Sequence, residues 1–365
     1  MQLSSFLPPA PWSTTAFAII LHIKVLHEVT LWRGFQPPYN WTEKKIFPRR
    51  VSILRYEGPG TAILAAVLMF ALPYYNGPTD PLVNAGVRVV CFFYACKSLD
   101  LGVARWRSPP TLMMTNPATG QREPAPLQTN KDVLRYILKL ATEMRYLSFD
   151  IAAEQKGRPA NSKRQQDFAW IVVPMAVLPL VTYLFPFAPL KCACLLFVIQ
   201  MGLEGLHKLV HPRCSRALFW RPWAATTMSD FWTTHWHSGA EPFLRSLAYE
   251  PTKRLLTPVL GKQGGRAAAV LAAFGLSGVW HGWASAPAVT RPYLLAFQVW
   301  ALFIAFGVAC VAERAVWGQR QGSIMQRIAV WAYALCGAGL CARTLECYCR
   351  IDWVKRTQCP AEMPS

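Results

Sequence analysis

Long apolar runs alternate along this chain with shorter polar and basic segments. A helix that crosses a bilayer needs about 20 mostly apolar residues. Six windows carry that pattern: Gly58–Tyr75, Phe168–Phe187, Leu190–Leu206, Arg266–Ala286, Tyr293–Ala312 and Ile328–Leu345. Two weaker windows are Thr14–Trp32, with His22, Lys24, His27 and Glu28 inside it, and Leu82–Leu99, with Arg88 and Lys97. Polar side chains at membrane depth face a bundle interior or a cavity, so both windows are read as spans. The pattern predicts an all-α polytopic membrane protein of about eight transmembrane helices, one integral membrane domain over residues 1–365. Pro186 and Pro189 supply the turn between two adjacent spans. Asp132–Phe149 has apolar residues at helical spacing with polar ones between, which predicts an amphipathic helix lying on the membrane interface. Pro109–Pro126 reads as a Pro-rich loop. The N-terminus shows no basic leader and no small-residue cleavage site, so no signal peptide is expected.

Composition agrees with this reading. Of the 365 residues, 53% are hydrophobic and 16% charged, against about 25% charged in soluble chains. The charges are lopsided, 38 Lys and Arg against 19 Asp and Glu, for a net +19. A soluble nucleic-acid binder would need dense basic patches on a water-soluble body, so no nucleic-acid partner is expected. The basic residues follow topology instead. Arg33–Glu57, Asp100–Asp167, His207–Gly265 and Glu313–Arg327 hold 28 of them, whereas the facing loops Asn76–Pro81 and Pro287–Pro292 hold one. The positive-inside rule makes the four basic loops cytosolic and both termini lumenal. Arg350, Lys355 and Arg356 in the C-terminal tail run against the rule, and the sequon Asn40-Trp41-Thr42 would be cytosolic and unused. Of the 11 cysteines, Cys192, Cys194, Cys310 and Cys336 lie inside spans as small apolar residues; a lumenal tail would permit a disulfide among Cys347, Cys349 and Cys359.

Two segments depart from plain membrane-protein patterning. In the third basic loop, Leu218–His237 places four tryptophans (Trp220, Trp223, Trp232, Trp236) within seventeen positions, interleaved with Arg221, Asp230, His235 and His237. Such aromatics suit an interfacial anchor, and they equally suit stacking on a ligand ring. The second segment is Leu271–Trp283 in the sixth span, where His281 sits within an apolar stretch and Ser277 lies four residues earlier on the same face. Gly275, Gly278 and Gly282 remove bulk beside it. An ionisable residue at this depth is either a hydrogen-bonded packing residue among small neighbours or a functional group. In the second case, burial favours a neutral imidazole able to accept a proton. His207 and His211, with Cys214, have i, i+4 spacing but lack a complete ligand set, and no metal is expected.

Taken together these segments resemble the wax synthase-like branch of the membrane-bound O-acyltransferase family, including its fungal secondary-metabolite O-acetyltransferases. The family's loop pattern appears here as Phe219, Pro222-Trp223, Ala225-Thr226-Thr227-Met228, Asp230-Phe231-Trp232, Trp236 and His237. Its helix pattern appears as Ser277-Gly278-Val279-Trp280-His281. The resemblance covers Leu218 to Trp283. Three features depart from it: Thr233-Thr234-His235 stands where the family usually has Gly-Arg-Arg, Met228 replaces Leu, and Thr227 replaces Ser.

The resemblance implies transfer of an acyl group from acyl-CoA to a hydroxyl, with the long loops cytosolic at the endoplasmic reticulum. It implies His281 as general base, and His237 as a second catalytic group polarising the thioester carbonyl. Asp230, Phe231, Trp232, His235, Trp236, Arg221, Ser277 and Trp280 would bind or shape the donor and acceptor path. No cofactor is implied beyond acyl-CoA as co-substrate. The partners are a lipophilic alcohol and membrane lipid. Trp280 and Trp283 flank the base and favour a short donor, acetyl-CoA, with a terpenoid or meroterpenoid alcohol as acceptor. A long-chain wax-ester or sterol acyltransferase is the neighbouring alternative. From other classes, a transporter or lipid-binding protein would place His22, Lys24, Glu28 and Arg88 on a polar path, and a cyclase would need a carboxylic acid such as Glu28, Glu204 or Glu346.

Overall fold

The computed structural model describes residues 12–32, 48–75, 77–78, 80–116, 119–127, 129–152, 201–205, 218–219, 224–236, 239–318 and 323–348. Six of the eight apolar windows coincide with helices in it. They are α1 (Trp12–Trp32), α2 (Pro48–Tyr75), α3 (Pro81–Leu99) and, after a short helix α4 (Asn130–Thr142), the long helices of the C-terminal third. There, α5 (Met228–Asp230) and α6 (Glu241–Leu244) lead to α7 (Glu250–Ser285), α8 (Pro292–Trp317) and α9 (Ile324–Tyr348). The windows 168–187 and most of 190–206 lie outside the described residues, as does Asn40. Among the described residues, three stretches are long and apolar enough to cross a bilayer, Glu241–Ala288, Pro292–Trp317 and Ile324–Thr344, and Pro59–Tyr75 is a shorter apolar helix. The described residues are thus mostly helical, consistent with a helical membrane protein. The chain divides into two compact units, one formed by Met1–Ala153 with Ala240–Pro251, the other by Glu154–Gly239 with Thr252–Ser365.

In the first unit, the polar residues of the two weaker windows turn inward. His22 is buried, and its Nδ1 lies 2.7 Å from the Ser98 hydroxyl. Arg88 is buried above the Tyr74 ring, with its Nε donating to Asn84 Oδ1. Lys97 is 2% exposed and donates to the carbonyls of Ala141 (3.2 Å) and Glu143 (2.7 Å). Those carbonyls end α4, so the ammonium satisfies acceptors that a helix C-terminus leaves open and meets the negative end of its dipole. Beyond α3 the chain makes a π-helical turn, Asp100–Ala104. The buried Asp100 carboxylate accepts from Arg105 Nε at 2.7 Å and from the Tyr146 hydroxyl at 2.9 Å. Burial and the adjacent Asp100 charge hold the Tyr146 phenol well above its ordinary pKa, so it stays a donor.

The amphipathic segment forms a shorter helix than its periodicity predicts. Thr129 caps α4 in a capping box with Asp132, and Glu143 turns the chain into an extended conformation. Residues 143–149 then fold back. Tyr136 and Leu140 pack with Leu26, Leu101, Trp106, Leu112, Tyr146 and Phe149, while Leu134 and Leu138 on the other side stay exposed. The Pro-rich loop contains a small antiparallel hairpin, β1 (Met113–Thr115) with β2 (Arg122–Pro124), turned through Gly120 at φ 68°.

In the second unit, α7 breaks at Gly261 (φ 71°, ψ 176°), a backbone state open to glycine. Beyond the break it packs closely against α8. A Cβ at Gly282 would lie 2.8 Å from the Ala296 carbonyl oxygen, one at Gly278 2.9 Å from Trp300 Cα, and one at Gly307 3.1 Å from the Phe274 ring. Small residues at such positions let helix backbones approach where no water-driven force pulls them together. Gly275 differs, since a Cβ there meets Ile304 at an ordinary 3.5 Å.

Candidate active site

The close approach of α7 and α8 decides what surrounds His281. Its ring stacks on Phe303 of α8, with centroids 4.5 Å apart and planes 27° apart, and Trp280 flanks it at 5.3 Å. Nδ1 lies 2.7 Å from the Ser277 carbonyl oxygen, one turn earlier. A carbonyl only accepts, so Nδ1 carries the proton and Nε2 presents its lone pair. The Ser277 hydroxyl stands 3.5 Å from Nδ1, at the limit of a hydrogen bond, and is buried. Ser277 therefore orients the imidazole through its backbone. His281 itself keeps accessible surface although Trp280 and Gly282 on either side are buried.

The loop motif folds as a short helix. Thr227 is its N-cap, with Oγ1 accepting from the Asp230 amide at 3.0 Å. Threonine thus does at this position what serine would do. Met228, 2% exposed, fills the core beneath. The chain continues from α5 as a π-helical turn, Phe231–His235. Asp230 Oδ2 lies 3.2 Å from His235 Nε2. Burial alone would raise the Asp230 pKa, but hydrogen bonds and charge from His235, with Thr234 and the Thr226 amide, hold it below the ordinary carboxylate value. His235 is buried, and the Thr233 hydroxyl donates to the Ser229 carbonyl.

Aromatic packing joins the two motifs. Phe231 is buried and stacks on Trp236 at 5.2 Å. Trp232 meets Phe274 of α7 at 5.5 Å, and Phe303 and Phe306 of α8 at 5.7 and 5.2 Å. Phe303 thus contacts the His281 ring and Trp232 at once. Trp232 and Trp236 are half-buried and keep accessible surface. Ala225, Met228, Phe231, Phe306, Cys310, Val330 and Ala334 form the core behind them.

The structure therefore brings Asp230, Phe231, Trp232, His235, Trp236, Ser277, Trp280 and His281 into one unit. His237 and Arg221 lie outside the described residues, as do His207, His211 and Cys214. Glu204 is buried, its Oε2 accepting the Leu218 amide at 2.7 Å. Phe303, Phe306 and Glu313 carry roles that the two motifs do not reach, and nothing in the sequence pattern marks them out.

Residues 215–305 match the profile of the Membrane bound O-acyl transferase family, a stretch that includes the whole segment carrying both motifs. The chain is also 30% identical over 99 residues to a protein described as "Probable long-chain-alcohol O-fatty-acyltransferase 1" from Arabidopsis thaliana. The aligned stretch covers 27% of this chain and 28% of the relative, so the chain spans little more than a quarter of the length of that protein. The stretch that carries both motifs is thus the part of the chain similar to membrane-bound O-acyl transferases.

Proposed function

We propose that this chain is an acyl-CoA-dependent O-acyltransferase that esterifies the hydroxyl of a lipophilic alcohol inside the membrane, with His281 as general base. The observation that carries the proposal is the imidazole itself: Nδ1 is committed to the Ser277 carbonyl, while Nε2 is free on an accessible ring held by Phe303. An alcohol is a weak nucleophile near neutral pH and needs a base in the transition state. Nε2 takes the hydroxyl proton as the oxygen attacks the thioester carbonyl. The carbon–sulfur bond then breaks, and the CoA sulfur leaves with the proton returned from the imidazolium. The products are the ester and free CoA, with no covalent enzyme intermediate. His237, protonated, would stabilise the charge that develops on the carbonyl oxygen.

In this reading the donor binds on the cytosolic side of the endoplasmic reticulum, in a bundle of about eight spans, a sidedness supported by the basic charge of the long loops. The basic and aromatic loop around Asp230, Trp232, Trp236 and Arg221 suits a polyanionic nucleotide. The acceptor reaches His281 from the bilayer. Trp280 and Phe303 wall the imidazole closely, and this favours acetyl-CoA as donor, with a terpenoid or meroterpenoid alcohol of secondary metabolism as acceptor. A second reading, a long-chain fatty acyl donor yielding a wax-type ester, is favoured by the similarity to the Arabidopsis long-chain-alcohol O-fatty-acyltransferase.

The test is to incubate membranes containing the protein with labelled acetyl-CoA or long-chain acyl-CoA and a panel of terpenoid and fatty alcohols, then to weigh the products by mass spectrometry. Acetylated terpenoid supports the first reading and a long-chain ester the second. Movement of a substrate across vesicles with no acyl-CoA consumed overturns both.

A further inference from the structure

Glu313 lies ten residues beyond Phe303 on α8, outside both motifs. Its carboxylate accepts the Met228 amide with both oxygens, at 2.8 and 2.7 Å, and the Ser229 amide at 3.2 Å. These are the first amides of the motif helix, where backbone N–H groups lack partners of their own and a negative charge meets the positive end of the helix dipole. Contacts of this kind, backbone donor to ionised acceptor, are roughly twice as strong as neutral ones. Seven residues earlier on the same helix, Phe306 packs against Trp232, and one turn before that Phe303 holds the His281 ring. One rigid helix thus grips the beginning of the motif helix, its tryptophan and the imidazole.

We infer that Glu313 is a positioning residue for the donor side of the site: it clamps the Met228 and Ser229 amides and so fixes the Asp230–Trp236 segment against the helix that holds His281. Without the clamp the segment loses its registration with α8, while the imidazole keeps its own supports, the Ser277 carbonyl and Phe303. The loss therefore falls on donor binding and leaves the chemical step largely intact.

This inference rests on the acyltransferase reading, and its test separates the two. Glu313→Gln, which loses the charge, and Glu313→Asp, one methylene shorter, are compared with wild type and with Arg314→Gln, an exposed neighbour on the same helix. Hydrogen exchange of the peptide covering residues 224–236 is measured in detergent, and acyl-CoA and alcohol saturation curves in membranes. The clamp predicts amide exchange at Met228 and Ser229 faster by about tenfold or more in both variants. It also predicts an acyl-CoA KM raised about tenfold, with the alcohol KM and kcat within about threefold of wild type. Arg314→Gln moves neither readout. Unchanged exchange overturns the clamp, whatever the activity. Faster exchange with an unchanged donor KM, or with kcat lost instead, overturns the positioning role. Wild type without acyl transfer, but with the exchange effect in place, overturns the acyltransferase reading and with it the donor role, while the clamp stands. A variant that fails to accumulate as a monodisperse protein counts against the split between binding and chemistry, and its partner variant carries the comparison.

Discussion

Gly282→Ala adds one methyl group at the narrowest point between α7 and α8. The new Cβ would lie 2.8 Å from the Ala296 carbonyl oxygen and 3.0 Å from its Cα. Both distances fall short of ordinary van der Waals contact by at least about 0.4–0.6 Å, and the opposing atoms are backbone, so no side chain can swing aside. The helices must separate or slide by about that distance. Overpacking of this kind costs about 1–3 kcal/mol, against which alanine returns up to about 1 kcal/mol of helix propensity. The displacement also reaches the site, because α8 carries Phe303 and α7 carries His281. Misplacement by about 1 Å at a reacting centre can cost about 100-fold in rate. Gly275→Ala is the matched control: its Cβ meets Ile304 at 3.5 Å, so propensity dominates and stability holds or rises slightly. Thermal unfolding of detergent-solubilised protein, followed by size-exclusion fluorescence, reads the stability. Acyl transfer per mole of folded protein reads the site. The reasoning is refuted if Gly282→Ala matches wild type in both, or if Gly275→Ala is as damaging as Gly282→Ala.

Other expectations follow from the same geometry. Phe303→Leu keeps an apolar side chain, and its stability cost stays below the ~3–5 kcal/mol of a Phe→Ala change, yet it removes the stack on His281, so kcat falls more than folded yield in the same membranes. Asp230→Asn keeps an acceptor oxygen for His235 but removes the carboxylate charge beside it. The Asp230 pKa is lowered by folding, so its contribution is complete above the ordinary carboxylate value near 4 and vanishes as pH falls through the lowered value. The gap in thermal midpoint between wild type and Asp230→Asn should therefore shrink on acidification below about pH 4; a gap that widens contradicts the assignment. Asn40 should remain unmodified in eukaryotic membranes, so Asn40→Gln leaves electrophoretic mobility unchanged, whereas a sequon engineered between residues 287 and 292 gains a glycan.

Hydropathy and charge made much of the helical layout legible. Windows marked only by an excess of apolar residues became α2, α7, α8 and α9, and the inward turn of His22, Arg88 and Lys97 follows from the cost of polar groups in lipid. The extent of α4 was less legible: periodicity continues to Phe149, but Lys97, distant in sequence, closes the helix at Ala141 and Glu143. The site divides the same way. His281 and Ser277 were visible because their spacing along one helix is local, yet the contact runs to the Ser277 carbonyl, which no side-chain pattern reveals. The loop tryptophans left ligand stacking and anchoring open. The structure adds a third use, since Phe231 and Trp232 bind the motif to α7 and α8. Phe303 and Glu313 were invisible because their importance arises from what α8 packs against.

The role of His281 as the base is tested most directly by acyl transfer from labelled acyl-CoA in wild type and His281→Ala, normalised to folded protein in the same membranes. The account predicts product from wild type and a loss of at least about 100-fold in the variant, the scale of a general base, with unchanged accumulation. A His281→Ala protein that still forms ester at a rate near wild type contradicts it.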